Sequence, residues 1–175
     1  TVFLQCDACW GPQDASIPTS DPPELAMFKL RSMTGALIMR SGGPIAWHVE
    51  RQKRKSRSSC ESRIKATDRC TKSVLHIRLI LEDLLQADIL SPTPMFNDNQ
   101  ACVDWSNSTT TKGLKHLNQR ENAIRESIIE HKITLDHIAG KINPSDLFTK
   151  ELRDTSHFLF LRVSFISRRK DGGCW

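Results

Sequence analysis

Three aspartates stand where an acid is otherwise hard to place. Asp7 closes the apolar run TVFLQC, Asp98 lies between two amides in FNDNQ directly after an apolar approach, and Asp146 follows Pro144 and Ser145 in NPSD. A carboxylate at the junction of an apolar strand and the next helix is costly to desolvate unless something positive faces it. For Asp98 two readings stand side by side: a metal ligand, or a helix cap accepting hydrogen bonds from the first free backbone N–H groups. If the three acids meet, their mutual repulsion calls for a divalent cation. Two Mg²⁺ ions about 3.5–4 Å apart are a known device for in-line phosphoryl transfer, one activating water and the other steadying the leaving oxygen.

Whether they meet depends on the elements that carry them. TVFLQCDACW reads as a strand ending near Asp7, and the proline-rich stretch 11–30 as a long loop or insertion. MTGALIMR and PIAWHVE read as two strands, the second alternating Ile45, Trp47 and Val49, with SGGP as the hairpin turn between them. From Ser58 to Leu85 the positions Thr67, Cys70, Val74, Ile77, Leu81 and Leu84 recur at intervals of three and four, which predicts one long helix with a single buried stripe. PTPMF predicts a fourth strand before Asp98, NQACVDWSNS a short helix, and KHLNQRENAIRESIIE a further helix. KITLDHIAG alternates as a fifth strand, and NPSDLFTKEL starts a helix with Pro144 in its first turn. This order predicts an α/β fold, a mixed sheet covered by helices. Asp7 and Asp98 then end their strands and Asp146 opens the last helix, so the three can gather at the carboxyl edge where sites of open sheets form. The segment 153–175 is expected to be a tail outside the domain, partly disordered.

Composition narrows the partners. With 175 residues, 38% of them hydrophobic, the chain suits one domain with a real core. A net charge of +5 leans toward a polyanion, and the bias is local: RQKRKSR, residues 51–57, places Arg51, Lys53, Arg54 and Lys55 in one run. That run suits either phosphate contact or a solvated loop. No apolar stretch approaches the roughly 20 residues of a membrane helix. The chain begins at Thr1 inside strand-like sequence, which points to a piece of a longer polyprotein. Without a secretion signal the six cysteines are expected to be reduced. Cys6 and Cys9 form a C-x-x-C pair with no second pair at zinc spacing, so buried small hydrophobes are the expected role. Trp10, Trp47 and Trp105 are expected to pack in the core or at an edge rather than to stack on bases.

Taken in order, the motifs resemble the ribonuclease H domain that closes the Pol polyprotein of copia-type LTR retrotransposons. The resemblance is carried by CDACWG, RSMTGALIMRSGGPIAW, SRSSCES, NDNQAC, KHLNQRENAIRE and NPSDLFTKEL, running from about residue 3 to 152. It implies an RNase H-like fold with a mixed five-stranded sheet over residues 1–152, and Mg²⁺-dependent cleavage of the RNA strand of an RNA–DNA hybrid, with two ions expected and Mn²⁺ as a substitute. Asp7, Asp98 and Asp146 match the family's metal-binding acids, with Glu61 as the remaining catalytic acid. Asn99 and Gln100 would touch the hybrid's minor groove, where 2′-hydroxyls mark RNA, and the basic run would hold phosphates. The implied partners are the hybrid and the reverse transcriptase of the same polyprotein, in an intracellular setting: a cytoplasmic virus-like particle or the nucleus.

The sequence departs from the family at several points. The family writes E-x-E at the head of the long helix; here only Glu61 remains, and Arg63 stands at the second position. Extending the buried stripe backwards reaches residue 63, so Arg63 faces the sheet, while Glu61 shares a polar face with Lys65, Asp68 and Lys72. Arg63 cannot bind Mg²⁺ and is expected to pair with Asp7 or Asp98. Cys9 replaces a second family acid, and the proline-rich insertion is a further departure. His116 matches the family's KH motif, with a cap or packing role as its alternative. Two expectations therefore stay open: an active metal-dependent ribonuclease, or a catalytically inactive remnant that keeps the fold and binds nucleic acid.

Overall fold

The computed structural model describes residues 2–9, 22, 31–56, 58–108, 118–150, 152 and 154–166, with 2–9, 118–121 and 164–166 described as backbone only. The proline-rich stretch other than Pro22, and His116, lie outside them.

Five strands form one sheet in the order β3-β2-β1-β4-β5. They are β1 (Val2–Cys9), β2 (Met33–Arg40), β3 (Gly43–Arg51), β4 (Thr93–Asn97) and β5 (Ile133–His137). The first three make an antiparallel meander, whereas β4 runs parallel to both β1 and β5. The β2–β3 hairpin turns through Ser41 at φ 52° and Gly42 at φ 84°. Two positive φ values in a two-residue loop match the twist of the flanking strands, and the glycine meets that demand without steric penalty.

The long helix α1 spans Ser59–Leu85. Its start is set by Ser58, whose hydroxyl accepts the Glu61 N–H at 3.1 Å, and its end by Gln86 in the left-handed region. Cys70 and Val74 pack with Ala36 and Ile38 of β2, Met95 of β4 and Ile133 and Leu135 of β5 into the main core. Helices α2 (Gln100–Asn107) and α3 (Asn118–Ile129) add a second cluster, in which Ile64, Cys102 and Ile124 are fully buried. Cys60, Cys70 and Cys102 are free thiols, the latter two buried.

The structure departs from the sequence reading at several places. Leu84 is 71% exposed, so the buried stripe of α1 stops at Leu81. Ile45, Trp47 and Val49 alternate as foreseen, with their side chains exposed; of the core and edge positions foreseen for Trp47, the edge strand β3 holds it, 69% exposed. The final helix is shorter than NPSDLFTKEL suggested: α4 covers only Asp146–Thr149. Beyond it, Thr155–Ile166, placed by sequence in a tail, form helix α5, which packs against β3 and α4 and buries Leu161 completely. No helix among the described residues is long and apolar enough to cross a membrane.

Candidate active site

The turn leaving β4 is built by two asparagines. Asn97 is fully buried; its amide donates to the Thr67 hydroxyl at 3.2 Å, and its Oδ1 accepts the Asn99 N–H at 2.8 Å. Asn99 then caps α2, its Oδ1 accepting the Cys102 N–H at 2.8 Å. The helix cap is thus Asn99 and not Asp98, which removes the capping reading of Asp98. Asp98 is turned instead toward α1 and α4.

There its side chain, 8% exposed, meets two cations. Arg63 Nη1 donates to Asp98 Oδ1, and Lys150 Nζ lies 3.4 Å from Asp98 Oδ2. The same ammonium donates to Asp146 Oδ1 at 2.7 Å, with the Asp146 side chain 5% exposed. Lys150 therefore bridges two carboxylates from distant parts of the chain. At the same turn of α1, the Thr67 hydroxyl donates to the Arg63 backbone carbonyl at 2.9 Å while accepting from Asn97, which ties the helix backbone to the β4 turn. Gly140 closes one side, because a Cβ there would lie 3.5 Å from Asp98 Oδ2.

Asp7 is located by its backbone, its side chain lying outside the described residues. Cys6 pairs with Asn97 across the parallel ladder, so positions 7 and 98 come next in register; β1 does not end at Asp7 as expected but runs on to Cys9, still paired with β2. Across β2, Asp7 pairs with Gly35. A Cβ on Gly35 would stand 2.7 Å from Thr149 Cγ2, 2.9 Å from Phe148 Cβ and 3.1 Å from the Ser145 carbonyl. The glycine lets α4 press onto the sheet, and Asp146 comes with it.

Glu61 occupies a different niche. It is the fourth residue of Ser58-Ser59-Cys60-Glu61, the capping-box position, and its carboxylate pairs with Lys65 at 2.7 Å. Among the described residues no three or more His, Cys, Asp or Glu side chains are grouped to hold a metal, so Glu61, Asp98 and Asp146 do not form such a set. Carboxylate oxygens are suitable donors for Mg²⁺. Here, though, Asp98 Oδ1 faces Arg63, and Asp98 Oδ2 and Asp146 Oδ1 face Lys150. As arranged, these residues do not fit a divalent ion.

The expected nucleic-acid contacts divide. Asn99 is committed to its cap, while Gln100 is exposed and donates to Asp104 Oδ1 at 2.7 Å. Arg51 ends β3 and donates to the Arg31 carbonyl at 3.3 Å. Lys53, Arg54 and Lys55 are exposed between two buried anchors. Gln52 donates to Thr34 Oγ1 at 3.2 Å and to the Ser62 carbonyl at 2.8 Å, and accepts from Ser56 Oγ at 3.0 Å. Trp105 is half-buried, with the Arg125 guanidinium 4.3 Å above its ring. Sequence reasoning missed Lys150, Asn97 and Gln52. For Lys150 a signal existed: it stands four residues after Asp146, the spacing of a helical ion pair.

Comparison with known proteins bears on the fold. The chain is 27% identical over 147 residues, 81% of its length, to the retrovirus-related Pol polyprotein from transposon TNT 1-94 of Nicotiana tabacum. It spans only 11% of that polyprotein. Among solved structures it is similar to LC11-RNase H1 in complex with RNA/DNA hybrid, with a TM-score of 0.58 and 11% identity over 85% of this chain and 94% of that one. RNase H1 of the halophilic archaeon Halobacterium salinarum gives the same TM-score and identity, over 85% and 93%. No family model matches the sequence. The fold is that of the RNase H-like α/β class. The chain is thus similar in sequence to part of a retrotransposon Pol polyprotein and similar in fold to RNases H1.

Proposed function

We propose that this domain engages RNA–DNA hybrids as part of a Pol polyprotein, alongside a reverse transcriptase, and that its capacity for hydrolysis is weak or lost. The observation that carries the reading is the Arg63–Asp98 pair. A guanidinium rests on the carboxylate that would otherwise serve as a metal ligand, while the acids Asp98 and Asp146 still converge at the sheet's carboxyl edge. Binding is supported by the hybrid held by the similar LC11-RNase H1 and by the exposed Lys53, Arg54 and Lys55 on an anchored loop. The setting we infer for such a domain is intracellular.

A second reading, Mg²⁺- or Mn²⁺-dependent hydrolysis of the RNA strand by Asp7, Glu61, Asp98 and Asp146, is favoured by the adjacency of positions 7 and 98 across the β1–β4 ladder. The test is the purified chain on a labelled hybrid with Mg²⁺, beside Asp98→Asn and Arg63→Glu. The proposal expects hybrid bound in preference to duplex DNA, with cleavage that rises in Arg63→Glu. Cleavage by the unaltered chain that Asp98→Asn abolishes would establish the second reading instead. Absence of any preference for hybrid would remove both.

A further inference from the structure

We infer that Arg63 is a built-in counter-cation that excludes divalent metal from the Asp98–Asp146 edge, so that this domain keeps its site folded without any metal ion. The inference deepens the reading above and rests on it for which acids matter.

The two cations differ in how firmly they are held. Lys150 is 32% exposed, reaches Asp98 and Asp146 at 3.4 and 2.7 Å, and sits on a flexible stem with a strongly hydrated head, so it can swing into water when a competing cation arrives. Arg63 is 16% exposed and bonded to a carboxylate that is itself 8% exposed. It projects from the second turn of α1, where its carbonyl is tied through Thr67 to the buried Asn97 beside Asp98. A guanidinium stays charged at any ordinary pH. A divalent ion taking Asp98 would have to coexist with that charge at close range, or drive it out of a partly buried position.

Charge accounting points the same way. Asp98 and Asp146 carry two negative charges, and Arg63 and Lys150 carry two positive ones; Glu61 has Lys65. The cluster of described side chains is neutral by itself. Clustered carboxylates repel unless cations stand among them, and Arg63 and Lys150 supply that charge for Asp98 and Asp146.

The experiment uses the full chain, with no nucleic acid present. Free Mn²⁺ is followed by electron paramagnetic resonance as protein is added, and Tm is measured in EDTA and in Mn²⁺. For the unaltered chain we expect the free Mn²⁺ signal to persist and the two Tm values to coincide. In Arg63→Glu we expect a lower Tm in EDTA, an upward shift of several degrees on adding Mn²⁺, and loss of the free-ion signal. Arg63→Gln, which removes the charge with less disturbance, should gain Mn²⁺ binding in the same direction, and Lys150→Ala should not. Stoichiometric Mn²⁺ uptake by the unaltered chain would overturn the inference, whatever the variants do. It would also be overturned if Arg63→Gln folds and still ignores Mn²⁺. Because no hybrid is used, failure here is distinguishable from failure of the hybrid-binding reading.

Discussion

Asp98 is enclosed by its partners, and the strength of that enclosure can be measured. Its two oxygens face a guanidinium and an ammonium in a region where all three side chains are at most a third exposed, so the attraction is only partly screened. Arg63→Ala and Asp98→Asn should each lower stability by about 1–3 kcal/mol, with a double-mutant cycle in urea giving a coupling energy of similar sign and roughly 1 kcal/mol or more. Additive effects would mean the pair contributes nothing to the fold. Gly35 is a second point of leverage at this scale. Gly35→Ala brings a Cβ to 2.7 Å from Thr149 Cγ2 and 3.1 Å from backbone, so α4 must lift from the sheet. A loss of about 1–3 kcal/mol is expected from such overpacking, read as a lower urea midpoint. Sequence alone singled out Asp98 as an acid after an apolar strand and Asp146 as an acid in the first turn of a helix, whereas Arg63 stood out through the resemblance to the family's E-x-E, with the helical stripe as a check. The sequence also placed Glu61 on a polar face with Lys65, and the two pair at 2.7 Å; a capping box and a metal ligand ask for the same residue type at the head of a helix.

Periodicity makes elements legible as long as each has a partner along its whole length. Helix α1 illustrates where that ends. Its 27 residues extend about 40 Å, whereas the five-residue strand β4 advances only about 17 Å. The last turns of α1 therefore overhang the sheet. Leu81 is 7% exposed, while Leu79, Leu84 and Leu85, two to four residues away, are 64%, 71% and 53% exposed. A heptad-like count cannot register that the opposing surface has run out. The consequence is a sharp contrast between neighbours: Leu81→Ala should cost about 2–5 kcal/mol, whereas Leu84→Lys should stay within about 0.5 kcal/mol of the unaltered chain. Equal losses at the two positions would mean that the overhang is covered in solution. The outward stripe Ile45, Trp47 and Val49 on β3 follows the same logic, because alternation reports that a strand has two faces and is silent on which one meets the core.

For the molecule as a whole, the net charge of +5 matters through where the cations stand. Many are spent within ion pairs: Lys65 on Glu61, Lys72 on Asp68, Arg63 on Asp98, and Lys150 on both site acids. Lys53, Arg54 and Lys55 stand exposed on a loop whose two ends are fixed, Gln52 to β2 and α1, and Ser56 to Gln52 and to Lys65 at 3.1 Å. Anchoring of this kind presents three charges in a set position without holding them in the fold. If the loop meets the phosphates of a hybrid, each contact releases condensed counterions, and affinity falls with salt in proportion to the number of contacts. Replacing all three by alanine should then flatten the plot of log Kd against log salt by about 2–3 units of slope, while leaving the urea midpoint unchanged because no core contact is lost. The same triple replacement should weaken hybrid and duplex DNA alike, since phosphates carry no information about sugar type. A slope that stays the same would move the phosphate track away from this loop and onto another face of the sheet.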